Sequence, residues 1–172
     1  VSTVTAAARV IQSLTQAQLT IAVAESLTGG LLTAKLTSVP GASTVVLGGI
    51  VAYNSEIKRL VLGVDASLLA QRGAVDADVA AQMALNVRSA LAVGGRAADV
   101  GIATTGVAGP DSQDGKPVGT VFIAFSFGDE ITVTELHLTG DRGAIRKSVV
   151  SESLLQLLAI LHSGVSSQES RE

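Results

Sequence analysis

Apolar residues fall at helical spacing in the opening segment, residues 4–14, where Val4, Ala7, Ala8, Ile11 and Leu14 share one face. Residues 20–24 (TIAVA) form a short, β-branched, wholly apolar run that reads as a buried strand ending at Glu25 and Ser26. A polar, glycine-rich turn (Leu27, Thr28, Gly29, Gly30) leads into a helix over 31–36. Pro40 and Gly41 break the chain, and 45–53 (VVLGGIVAY) reads as a second strand in which Gly48 and Gly49 suggest a bulge or a close backbone approach. Asn54 caps a helix over 55–62 that Gly63 ends, and 65–71 forms a further helical turn. Asp76 or Asp78 opens an Ala-rich helix to about Val93, stopped by Gly94 and Gly95. Residues 99–104 read as a third strand that delivers the next residues into a loop reaching Pro117. Residues 118–127 and 131–138 form a hairpin around Gly128, Asp129 and Glu130, and a last helix spans 142–162 with Ile145, Val149, Leu154, Leu157, Leu158 and Leu161 on its apolar face. Early alternation of helix and strand with a late β-hairpin predicts an α/β protein: a three-layer α/β/α sandwich around a mixed, mostly parallel sheet. No repeat or linker interrupts it, so residues 1–163 read as one domain and 164–172, rich in Ser and charge, as a flexible tail.

Composition narrows the function. Hydrophobic residues make up 47% of the 172 and charged residues 16%, too apolar for a disordered chain. Only Tyr53, Phe122, Phe125 and Phe127 are aromatic, so Val, Leu, Ile and Ala build the core and an aromatic RNA-reading surface is disfavoured. A net charge of −3 gives no overall pull toward nucleic acid or anionic membrane. Zero cysteines exclude disulfides, thiolate zinc sites and a cysteine nucleophile. No apolar run reaches the length of a spanning helix, and the first residues lack a secretion-signal pattern. The expectation is a cytoplasmic protein with no cofactor or metal and no nucleic-acid or membrane partner.

Neither a P-loop nor a dinucleotide-binding glycine fingerprint is present, and His137 and His162 lie on separate elements. The stronger candidates lie at loops. Segment 25–30 puts the Ser26 hydroxyl at a strand end beside the N–H groups of a helix start, a place to hold phosphate or an oxyanion; the plainer reading is an N-cap with ordinary turn glycines. Tyr53 and Lys58 can aim into one cleft, or Lys58 can be a solvated lysine. The small residues of 104–110 (TTGVAGP) let a ligand approach the backbone, or simply make a tight loop. Arg142 and Arg146 share a helix face in its first turns, where positive charge opposes the dipole, which suggests an anionic partner; Arg142 could equally be a surface residue.

Together the stretches AESLTGGLL, LTSVPGAS, VVLGGIVAYNSEIKRLVLGV, RGAVDADVAAQMA, GIATTGVAGPDSQDGKPVGTVFIAF and LTGDRGAIR resemble the CinA C-terminal domain family, in the family order and from about Thr20 to the end of the last helix. The resemblance implies a standalone form of a domain often fused behind a larger nucleotide-pyrophosphatase-like domain. It implies a homo-oligomer, most often a dimer, and a nicotinamide-mononucleotide amidohydrolase releasing nicotinate mononucleotide and ammonia. The rivals are a non-catalytic nucleotide-binding or regulatory module linked to competence or DNA damage, and an amidohydrolase of another carboxamide. The chain departs from the family pattern at Leu27, where Cys is common, at Asp76, where Ser is common, and in the order Asn54-Ser55.

For amide hydrolysis these residues permit Ser26 as nucleophile and Lys58 as its base, with Tyr53 orienting Lys58 or relaying a proton to ammonia. Backbone N–H groups of Thr28, Gly29 and Gly30 would serve the oxyanion or the phosphate. Thr105 with Gly106, Ala108 and Gly109 would hold the substrate, Glu25 would bind it or point away, and Arg142 or Arg146 would pair with the phosphate. Direct attack by water, with Ser26 only binding the amide, is the alternative. The lysine must first shed its proton near neutrality, which requires its pKa to fall from about 10.4 toward about 7.5 through burial and a nearby arginine.

Overall fold

The computed structural model describes residues 4–169, with side chains through Ser163. Its elements in chain order are α1 (Ala6–Ala17), β1 (Ile21–Glu25), α2 (Leu31–Thr37), a 3₁₀ turn (Ala42–Thr44), β2 (Val46–Val51), α3 (Ser55–Leu62), α4 (Ala66–Arg72), α5 (Ala77–Ala90), β3 (Val100–Gly106), β4 (Thr120–Phe127), β5 (Glu130–His137) and α6 (Arg142–Glu169). The five strands form one sheet in the order β2-β1-β3-β4-β5. β1 pairs in parallel with both β2 and β3, whereas β3–β4 and β4–β5 are antiparallel. By pairing the sheet is therefore evenly mixed; by direction β4 alone runs against the other four.

Helices cover both faces, which makes the three layers. On β1, Ile21 and Val23 pack toward α1, α2 and α6, among Val10, Leu14, Leu32 and Leu157. The intervening Ala22 and Ala24 face the other layer, among Leu62, Val79, Met83 and Val87 of α3 and α5. A strand buried on both faces needs no polar alternation, which is why TIAVA is uniformly apolar. Alanine on the second face lets α5 lie close to the sheet.

Local signals set the boundaries. Asn54 accepts the Glu56 N–H at 2.8 Å and starts α3, and Gly63 ends it in the left-handed region. Asp76, not Asp78, caps α5 by accepting the Asp78 N–H at 2.8 Å. β3 runs two residues beyond the sequence-based end because Thr105 and Gly106 pair with Phe122 and Val121 of β4. α6 runs to Glu169 rather than stopping at His162. No proline follows, and Gln168 and Glu169 are good helix formers. Of the segment read as a flexible tail, 164–169 are thus helical and 170–172 lie outside the described residues. Among the described residues no helix is long and apolar enough to cross a membrane.

Because β1 and β3 are parallel neighbours, their C-terminal ends deliver two turns to the same edge of the sheet. Glu25 pairs with Thr104, and the Ser26 N–H donates to the Thr104 carbonyl at 3.0 Å. The site is assembled there, as open parallel sheets favour.

Candidate active site

The turn after β1 is held from three sides. The Glu25 carboxylate turns onto the start of α2. One oxygen accepts the N–H groups of Gly30 and Leu32, each at 3.0 Å; the other accepts the Thr33 N–H at 2.8 Å and the Thr33 hydroxyl at 2.7 Å. These donors are the ones a helix start leaves over, so a buried anion is well placed on them. Gly49 of β2 makes room for the arrangement, since a Cβ there would lie 2.2 Å from the Thr33 hydroxyl oxygen. From the second side, Arg146 of α6 donates to the carbonyls of Leu27 at 2.8 Å and Thr28 at 3.0 Å. From the third, the buried Thr28 hydroxyl meets that of Thr104 at 2.8 Å. Leu27 packs into the core, so an apolar residue suits the position.

Ser26, fixed by this turn, meets Lys58. The Lys58 Nζ donates to Ser26 Oγ at 2.9 Å and to the Ala52 carbonyl at 2.7 Å. Lys58 is only 1% exposed, and with Leu62, four residues on, it forms the buried stripe of α3. Burial strips water from the ammonium and lowers its pKa to about 8, while the charge of Asp114 pulls partly the other way. About one amine in ten is then neutral at pH 7, against about one in 2,500 for a free lysine. The arginine expected to assist is absent from this balance: Arg146 holds the turn and Arg142 lies at the pocket mouth.

Ser26 and Leu27 open onto a cavity of about 120 Å³. Its walls are Ala74 and Val75 before α5, and Thr105 through Gly109 at the end of β3. Tyr53 and Arg142 stand at its mouth, where Arg142 donates to the Tyr53 hydroxyl at 2.6 Å and to the Gly109 carbonyl at 2.7 Å. Asp111 and Gln113 complete the lining. Among the described residues no hydrogen bond engages the backbone N–H of Leu27, Thr28, Ala108 or Gly109, so these donors remain available near the pocket.

Several sequence-based expectations change. Glu25 does not face a substrate, because both its oxygens are used at α2. The Gly29 N–H donates to the Ser26 carbonyl at 3.1 Å and the Gly30 N–H to Glu25, so neither is a free oxyanion donor. Arg146 is committed to the turn rather than to a phosphate. Tyr53 is 59% exposed and bonds Arg142, not Lys58. Thr105 lines the pocket, but its hydroxyl donates to the Ala74 carbonyl at 2.7 Å. Gly106, Ala108 and Gly109 line the pocket. Asp76 and Asn54 act as helix caps, which accounts for two of the departures from the family pattern. Asp111, Gln113, Ala74 and Val75 were not singled out, because nothing in a loop's local sequence tells which strand end it will cover.

The model of the CinA C-terminal domain matches residues 3–161. A putative competence-damage inducible protein of Desulforamulus reducens is 48% identical over 143 residues, 83% of this chain and 34% of that protein. A CinA-like protein of Frankia casuarinae is 50% identical over 145 residues, 84% of this chain and 32% of its own length. The chain thus spans about a third of these relatives. Among solved structures, a CinA superfamily protein of Klebsiella pneumoniae superposes with a TM-score of 0.86 at 31% identity, covering 92% of this chain and 96% of that one. The competence/damage inducible protein CihA of Agrobacterium tumefaciens gives 0.83 at 35% identity, with 91% and 93% covered. With its family model matched over nearly its whole length, the chain belongs to the CinA C-terminal domain family.

Proposed function

We propose that this domain hydrolyses the carboxamide of a nicotinamide mononucleotide to the nicotinate mononucleotide and ammonia. One observation carries the reading: a buried lysine with its pKa lowered to about 8 bonds, at 2.9 Å, the hydroxyl of a serine that lines a pocket. A neutral amine in contact with a hydroxyl is the arrangement that activates serine where no histidine is at hand.

In the reaction, Lys58 takes the Ser26 Oγ proton as Oγ bonds the carboxamide carbon. The carbonyl oxygen becomes an oxyanion, for which the uncommitted N–H groups of Leu27 and Thr28, following Ser26 in the turn, are available donors. Collapse breaks the C–N bond, and Lys58 returns the proton to the departing nitrogen, giving ammonia and a Ser26 ester. Water then attacks the ester with Lys58 again as base, releasing the carboxylate and restoring the serine.

The pocket volume supports a ring rather than a whole nucleotide inside. A cavity of about 150 Å³ holds benzene, so a space of about 120 Å³ with an open mouth suits one six-membered ring. Ribose and phosphate would then extend past Tyr53 to Arg142, whose guanidinium suits an anion.

The test is incubation with nicotinamide mononucleotide, with ammonia and nicotinate mononucleotide measured beside a Ser26→Ala control. Product from the wild type alone supports the reading. Equal product from both removes Ser26 as nucleophile, and product from neither folded protein removes this substrate.

A further inference from the structure

The loop between β3 and β4 carries a carboxylate that the scheme above does not use. Asp114 sits in left-handed backbone, φ 52°, inside a tight turn closed by paired backbone bonds between Gln113 and Lys116 at 2.8 and 3.1 Å. Its Oδ2 accepts the Ala74 N–H at 2.8 Å. The facing residue is Gly73, and a Cβ there would lie 2.3 Å from the Asp114 carboxyl carbon. With φ 77° as well, that position requires glycine, and the two segments are matched to each other. The Ala74 carbonyl is held in turn by the Thr105 hydroxyl. The Ala74 peptide is therefore pinned at both its N–H and its C=O, and it forms the pocket wall near Ser26.

We propose that Asp114 is a positioning residue for this site, holding the Ala74–Val75 wall with one carboxylate oxygen and setting a fixed negative charge within electrostatic range of Lys58. No ion pair joins the two among the described residues; the charge of Asp114 raises the Lys58 pKa against the lowering by burial. Among the other ionisable groups around the site, Asp111 lines the pocket, and the rest are already engaged. Glu25 is saturated at α2, Tyr53 and Arg142 bond each other, and Asp76 caps α5 beside Arg72. The face of α5 that packs with Leu62 of α3 is apolar, with Val79, Ala80 and Met83.

The charge has a use that the hydrogen bond alone does not. Resting on the Ser26–Lys58 reading, an ammonium forms at Lys58 each time the serine proton is taken, in a site from which water is largely excluded. A fixed anion in range stabilises that ammonium without having to reorganise.

Asp114→Asn separates the two roles, because asparagine still accepts from the Ala74 N–H but carries no charge. The readouts need no substrate: titration of the Lys58 side chain by carbon NMR on the ligand-free protein, and hydrogen exchange of the Ala74 amide. In Asp114→Asn the Lys58 midpoint should fall from about 8 by roughly half a unit or more, with Ala74 protection kept. In Asp114→Ala the midpoint should fall similarly and Ala74 protection should be lost. An unmoved Lys58 midpoint in the asparagine variant overturns the electrostatic role, and an Ala74 amide as protected in the alanine variant as in the wild type overturns the wall role. If Asp114→Ala does not fold, Asp114→Gly, which suits the left-handed backbone at φ 52°, takes its place, and an Ala74 amide as protected there as in the wild type overturns the wall role. These readouts stand even if the protein turns over no carboxamide, a result that would defeat the amidohydrolase reading alone.

Discussion

Lys58 Nζ and Ser26 Oγ lie 2.9 Å apart although 32 residues separate them, and the same Nζ is anchored to the Ala52 carbonyl at 2.7 Å. The lysine is thus held by α3 and the end of the segment after β2, the serine by β1, and the two meet because β1 and β2 are parallel neighbours. Substituting either partner should abolish turnover without unfolding the domain. Ser26→Ala and Lys58→Ala are each expected to lower kcat by about 10²–10⁴. Their combination should cost little more than either alone, because the two act as a unit. Steady-state ammonia release from the single and double variants checks this, and additive losses would count against a shared step.

The pH dependence follows from Lys58. The amine must be neutral to accept the serine proton, so kcat/KM should climb with pH through a midpoint near 8 and level off above it. Stability moves the same way. The folded pKa, about 8, lies below the ordinary 10.5, so between those values the unfolded chain binds more protons than the folded one and stability rises with pH. Below pH 8 the buried ammonium costs about 3 kcal/mol relative to pH above 10.5. Denaturant titrations of wild type and Lys58→Met between pH 7 and 10 should show the wild type gaining on the variant across that interval. A constant difference would mean that Lys58 is not perturbed.

How far the sequence carried this structure depends on the kind of signal. Every strand and α-helix could be placed from the sequence, and the ends of α3 from Asn54 and Gly63, because caps and periodicity are local properties; the ends of α5, β3 and α6 fell elsewhere. Lys58 was legible as a candidate beside Tyr53, whereas its burial with Leu62 on α3 is visible only in the structure. What could not be read was the partner of each polar group. Glu25 looked like a substrate contact beside Ser26, yet its fate was decided by α2 folding back over it. Arg146 looked like a twin of Arg142, but one helical turn separates a residue that grips the Leu27–Thr28 carbonyls from one that reaches the pocket mouth. Asp114 depended on a contact across 40 residues with Ala74, which no local pattern encodes.

Glu25 should prove structural. Its carboxylate receives three backbone N–H groups and one hydroxyl while almost fully buried. Glu25→Ala strands those donors and should destabilise the fold by about 2–4 kcal/mol, combining a lost cap with unsatisfied buried groups. Thr33→Val removes only the hydroxyl donor and should cost about 1 kcal/mol. Equilibrium urea unfolding of both variants gives the comparison, and a Glu25→Ala protein as stable as the wild type would be incompatible with the capping role.

Arg142 should govern the phosphate and not the chemistry. Its guanidinium bridges Tyr53 and Gly109 across the mouth, away from the Lys58 Nζ, which is engaged with Ser26 and Ala52. A phosphate arriving there would exchange the neutral acceptors of Arg142 for a charged one, a stronger and bidentate partner. Arg142→Ala should therefore raise KM for nicotinamide mononucleotide by about tenfold or more, as the loss of one charge-assisted contact implies, with kcat reduced far less. Tyr53→Phe removes the hydroxyl that Arg142 donates to and leaves the ring, so its effect on KM should be smaller. Nicotinamide riboside, which lacks the phosphate, supplies the control: if Arg142 reads the phosphate, the wild type and Arg142→Ala should handle the riboside alike. An equal loss on both substrates would instead place Arg142 in shaping the 106–109 wall through its bond to the Gly109 carbonyl.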